Sequence, residues 1–233
     1  MNSQKNRHMV SAVLLSGYFA AGISPAAIAC SEHAAIFSTT IKSGVILASS
    51  TEMPSATAVD AALRDLWVGH AFAVRNVVMA TIGGNKEAAA AAEAGVVANA
   101  TAIAAAIEPF YGAAAKDTLF KLLVGHYGGI KGFLDASVSK DQAKQNKAME
   151  DILANADAIA TFLSGANPNL PKDAVMGLLQ AHAGHHVTQI QQLIAGDYKD
   201  ELQNWNDMVA HMNQIADALA GAIAKQFPEK FKA

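Results

Sequence analysis

After about position 55, apolar side chains return every three to four residues, the spacing that places them on one face of a helix. Leu63, Leu66, Trp67, Val74, Val77 and Val78 trace the first such face, which opens at a capping-box variant of Thr57 and Asp60 and ends at Gly83-Gly84. Asn85 caps a second, alanine-dense helix that should stop just before Pro109. A third runs from about Ala113 to Val138, Ser139 with Gln142 opens a fourth, and Gly165 ends that one. Pro171 starts the fifth, where a missing N–H costs nothing, and Gly196 closes it. A sixth runs from about Tyr198 to Phe227, before Pro228. No segment alternates as a strand does. The pattern predicts an all-α protein, a six-helix up-down bundle.

Sliding the chain against itself by 56 residues, without a gap, aligns His70, His126 and His182, and also Leu66, Leu122 and Leu178. On the even-numbered helices the same shift aligns Asn99, Asn155 and His211, then Ile103, Ile159 and Ile215. Lys116-Asp117 returns as Lys172-Asp173. Internal correspondence at one fixed period predicts three 56-residue helical hairpins. His70 and Asn99 are equidistant from the Gly83-Gly84-Asn85 turn, and the other two pairs are equally centred on theirs. In antiparallel hairpins such pairs lie at one level, roughly 20 Å from the turn at 1.5 Å per residue. If the hairpins pack side by side, the three levels merge into one polar layer.

Composition enlarges this picture at the N-terminus. Lys5 and Arg7 precede an apolar run from Met9 to Ile23, then Ser24-Pro25 and the small-residue end Ala27-Ile28-Ala29, so residues 1–29 read as a secretory signal. Residues 30–54, rich in Ser, Thr and β-branched side chains, read as a flexible tether, and residues 55–233 as the helical bundle domain. The single cysteine, Cys30, becomes the first mature residue, where a lipid anchor can attach; Ala27 is a poor match three places before it, so ordinary cleavage is the leading expectation. The protein is then exported, periplasmic or tethered to the membrane by lipid. No later segment holds the roughly 18 uninterrupted apolar residues of a bilayer span. With 52% hydrophobic residues the chain can bury a substantial core, and a net charge of −3, about −5 after the signal is removed, excludes the basic surface of a nucleic-acid binder.

The polar layer carries the candidate chemistry. Buried imidazoles and amides without partners cost roughly 1–3 kcal/mol each, so they must satisfy one another, bind water or hold a ligand. Neutral imidazole is the commonest transition-metal ligand. His70, His126, His182 and His211 are the candidate ligands, with His186 a fifth because it projects from the same helix face as His182, four residues on. Asn99, Asn155 and Arg75 are candidate supports around them, although an arginine near the end of a helix more often meets solvent and the helix dipole. The carboxylate-bridged di-iron motif needs a Glu three residues before each histidine; Trp67, Leu123, Leu179 and Met208 stand there instead. Met208 and Met212 could soften a copper site, but as core-filling residues they need no such role. Gly125, Gly128, Gly129 and Gly132 within the third helix leave either close helix contact or room for a ligand such as haem between two imidazoles. No nucleophile elbow and no phosphate-binding glycine loop is present.

The stretches ANADAIATFLSGANPNLPKDAV (154–175), IEPFYG (107–112) and KQFPEKF (225–231) resemble a family of uncharacterised bacterial helical proteins, over about Leu66 to Phe231. The resemblance implies histidines at the positions of His70, His126, His182 and His211 and an arginine at that of Arg75, with no established activity. Members often carry an acidic residue just before those histidines, whereas this chain has Gly69, Gly125, Ala181 and Ala210. The expectation is an exported helical protein whose histidine-rich core binds a transition metal, zinc, copper or iron. A haem or flat-ligand protein and a structural module that binds another protein are the alternatives, and whether chemistry follows binding is open. If a centre exists, it should be asymmetric and built around His182, His186 and His211.

Overall fold

The computed structural model describes residues 53–232. The expected signal, Cys30 and most of the tether lie outside the described residues. Six helices follow one another: α1 (Ala56–Ile82), α2 (Lys86–Tyr111), α3 (Ala113–Val138), α4 (Gln142–Ala166), α5 (Lys172–Ala195) and α6 (Tyr198–Gln226), with a short 3-10 turn at Pro228–Lys230. Among the described residues there is no strand, and the protein is a helical bundle.

Local chemistry sets the helix ends. Asn85, Asp141 and Asp197 each accept a hydrogen bond from a backbone N–H in the first turn of α2, α4 and α6, offsetting donors that the helix leaves free. Ser55 performs this task for α1, two residues before the expected Thr57. At the start of α4 Asp141 displaces Ser139, which instead closes α3. Gly196 ends α5 in the left-handed conformation, φ +75°, where a side chain would be strained. The second helix runs past Pro109 to Tyr111. Phe110 there is buried and stacks on Phe231 with ring centroids 5.6 Å apart, so tertiary packing holds the final turn that proline disfavours. In length and composition α2 could also cross a membrane, although no uninterrupted apolar run was expected. Its many alanines account for this, and here it packs along α1 and α3.

Short turns fold successive helices back on one another. The odd helices α1, α3 and α5 meet along the bundle axis, and each even helix fills a gap at the periphery: α2 against α1 and α3, α4 against α3 and α5, α6 against α5 and α1. Whatever the odd helices turn inward therefore meets at the centre. On one side of mid-height that interior holds Leu63, Trp67, Leu119, Leu123 and Ile215; on the other it holds Val74, Val77, Ile130, Phe133 and Ile190.

Candidate metal centre

Between these apolar regions His70 of α1, His126 of α3, and His182 and His186 of α5 converge, each 4% exposed or less. One ring nitrogen from each lies within 4.8 Å of those of the others. Ring centroids are separated by 4.5 Å for His182 and His186, 5.3 Å for His126 and His182, and 5.7 Å for His70 and His182. The helical register dictates this: residues four apart share a face, so α5 supplies two rings where α1 and α3 supply one each. At the positions 56 and 112 residues before His186 stand Ile130 and Val74, both buried and aliphatic. The fourth histidine is thus an addition peculiar to α5.

Seven of the eight ring nitrogens are buried without a hydrogen-bond partner; the eighth is Nε2 of His70. Burial lowers the pKa of His70 to about 4, with a smaller upward pull from the Asn99 side chain. Burial, aided by neighbouring His70, takes His126 to about 3. His182 and His186 are held well below the usual histidine range, first by burial and then by the other rings. All four are therefore neutral at pH 7, with lone pairs free to bind a cation. A tetrahedral ion with metal–nitrogen bonds of about 2.0–2.1 Å sets its ligands roughly 3.4 Å apart. The observed separations, up to 4.8 Å, exceed that spacing by about 1.4 Å at most.

The expected single polar layer is in fact two arrangements. Asn99 donates to the carbonyl of Leu66 at 2.9 Å, Asn155 to that of Leu122 at 3.1 Å, and His211 Nε2 to that of Leu178 at 2.9 Å. Each bond joins an even helix to the odd helix before it, and each acceptor lies four residues before a clustered histidine. Because a carbonyl can only accept, the bond fixes the proton of His211 on Nε2. His211 packs against His185, with ring centroids 5.5 Å apart, and is not brought into the cluster. The cluster is asymmetric, with two rings from α5; of the three histidines expected at its heart it contains His182 and His186 but not His211, and His70 and His126 complete it.

Glycine has its role in these clasps. A Cβ on Gly69 would come within 3.4 Å of Asn99 Nδ2, one on Gly125 within 2.9 Å of Asn155 Nδ2, and one on Gly129 within 2.8 Å of Ile152 Cγ1. These glycines permit close approach between helices. Gly128 has open space at that position and is exposed.

Sequence reasoning did not single out the ion pair beside the cluster. Arg75 donates from Nε and Nη2 to the two carboxylate oxygens of Glu201, at 2.7 and 2.8 Å, and its guanidinium lies 5.3 Å from the centroid of the Trp205 ring. Gln189, fully buried, donates to Glu201 Oε1 at 3.0 Å. The available signal was the helical spacing of Gln189, three residues after His186, on an otherwise apolar face.

In comparisons with known proteins the chain matches no family model, and no curated protein or solved structure is significantly similar to it. The functional reading therefore rests on the site itself.

Proposed function

We propose that this protein binds a single transition-metal ion through His70, His126, His182 and His186. The observation that carries the reading is the set of seven ring nitrogens buried without a protein hydrogen-bond partner. Left empty, each unsatisfied nitrogen costs roughly 1–3 kcal/mol, and one cation satisfies four of them at once. Neutral imidazoles without carboxylates suit zinc, copper, iron or nickel and disfavour calcium and magnesium, which take oxygen ligands. The ligands come from helices of a packed core, so the site is rigid, and burial closes it to bulk solvent. Asn99 and Asn155 serve the centre by fixing the height of each helix. We read the 56-residue correspondence as an internal repeat of three hairpins, a reading supported by the three like bonds from Asn99, Asn155 and His211. We also propose that the protein is exported, on the strength of residues 1–29.

Elemental analysis of the purified protein tests the reading, with an expected one metal ion per chain, lost on changing His126 to Ala. A folded wild type that takes up none of these metals from solution would overturn it. A strong Soret band in the purified protein would instead assign the histidines to haem.

A further inference from the structure

A fully buried metal site needs a way in, and the surroundings of the cluster are unequal. Towards the start of α1, the layer next to the histidines contains Trp67, Leu123 and Leu179, followed by Leu63, Leu119 and Val175, all buried and apolar. A cation cannot cross such layers without losing its hydration with nothing in exchange. In the other direction most of the interior is equally apolar, but α5 continues from His182 and His186 to Gln189 on the same helical face. Gln189 is fully buried, and its Oε1 has no hydrogen-bond partner. Its amide meets Glu201, the only acidic side chain buried among the described residues. Arg75 covers that carboxylate and is itself partly exposed, its side chain retaining 24% of its accessible surface.

Gln189 and Glu201 are peculiar to this side of the bundle, whereas Arg75 has a cationic counterpart 56 residues on in Lys131, paired with Glu93 and Asp135. The positions 56 and 112 residues before Gln189 hold Phe133 and Val77, both buried, and those before Glu201 hold Gln145 and Ala89. A second polar set nearby is fully engaged with itself. Asn204 donates to the His185 carbonyl at 3.0 Å, and its side-chain oxygen meets His185 Nδ1 at 2.8 Å. Hydrogen bonds run in series from Arg75 through Glu201 to Gln189, and Gln189, three residues after His186 on α5, carries an unpartnered oxygen as His186 carries unpartnered nitrogens.

We propose that Glu201 is the port through which the metal ion reaches the histidines and that Arg75 is its gate. The inference rests on the metal reading above. The arriving cation takes the place of the guanidinium at the Glu201 carboxylate, and Arg75 keeps a resting place over the Trp205 ring. The ion then passes the Gln189 carbonyl oxygen to His186 and His182. No bond to carbon forms or breaks. The guanidinium stays charged throughout, and the carboxylate is released when Arg75 returns.

The two members of this ion pair should affect uptake in opposite directions. The full chain, stripped of metal with a chelator, would be mixed rapidly with zinc held by a chromophoric competitor, and the transfer rate compared with that of E201Q, R75Q and R75K. Slower uptake in E201Q is expected, by about tenfold, the scale on which a charge at the mouth of a site changes association rates. Uptake should be faster in R75Q and intermediate in R75K, with final stoichiometry unchanged in all three. A merely structural ion pair would loosen the bundle from either side and speed uptake in E201Q and R75Q alike; that result overturns the proposal, as do equal rates throughout. R75K keeps the charge, so its rate serves as the arginine test should R75Q not fold. A wild type that loads no metal removes the metal reading and the port together, whereas a wild type that loads while E201Q matches its rate removes the port alone.

Discussion

His182 and His186 face each other edge to plane at 4.5 Å, one turn apart on α5, and neither ring makes a hydrogen bond. Two neutral imidazoles so placed gain little from each other and have no protein hydrogen-bond partner. Without a cation the pair would be a source of instability, and under the metal reading a bound ion would reverse its sign.

Replacing one ligand with an apolar residue of similar size should therefore stabilise the metal-free chain. H126L is expected to raise its unfolding free energy by about 1–3 kcal/mol, since two unpartnered nitrogens leave the core. Urea titrations in the presence of a chelator measure this. A less stable H126L would mean that the ring has partners of structural value.

The wild type should gain stability from zinc, and H126A should not. At free metal one hundred times the dissociation constant, the gain is about 2.7 kcal/mol. Thermal melts with and without zinc read it directly.

Acid should destabilise the metal-free protein in a defined window. In the fold His70 titrates at about 4 and His126 at about 3, whereas in the unfolded chain both return to the ordinary value of 6.5. Between those values the unfolded state binds protons that the folded state refuses, so stability is intact above about pH 6.5 and falls as pH drops from there, towards 4 for the His70 contribution and 3 for that of His126. At pH 5 the loss from His70 alone is about 2 kcal/mol. Urea midpoints at pH 7.5 and pH 5 check it, and a variant with leucine at positions 70 and 126 should show a shallower slope.

Removing a clasp should weaken the fold without removing the site. N155A deletes the bond to the Leu122 carbonyl and is expected to cost about 1–2 kcal/mol, with metal stoichiometry unchanged. Denaturation and elemental analysis on the same preparation separate the two effects.

Two glycines of α3, one turn apart in space, should respond oppositely to alanine. At Gly132 the new Cβ meets Ala148 Cβ at an ordinary 3.7 Å, so the gain in helix propensity, up to about 1 kcal/mol, is realised. At Gly129 it meets Ile152 at 2.8 Å, close to that residue's backbone, and G129A should destabilise. Melting temperatures of the two variants decide it.

Much of this architecture is legible in the sequence alone. Capping residues and glycines gave the six helices to within a few residues because those ends depend on local hydrogen bonds. The end of α2 was missed because Phe110 is held by Phe231, distant in sequence. His186 and the three aligned histidines could be found because helical spacing and the 56-residue shift are both visible in one dimension. His211 misled for the same reason. Its alignment with Asn99 and Asn155 points to a role like theirs, a bond to a backbone carbonyl, whereas its imidazole points equally to metal ligation. The pairing of Arg75 with Glu201 joins α1 to α6 and leaves no periodic trace.

The convergence of α1, α3 and α5 has one more consequence. An ion held by their histidines would join three stretches of chain far apart in sequence, as a covalent cross-link does, and no hairpin could separate while it stayed bound. Escape from the folded state would then wait on the ion's departure, so resistance to proteolysis would follow the kinetics of metal release more closely than the equilibrium stability of the helices. The lifetime of the fold would be the residence time of a single ion.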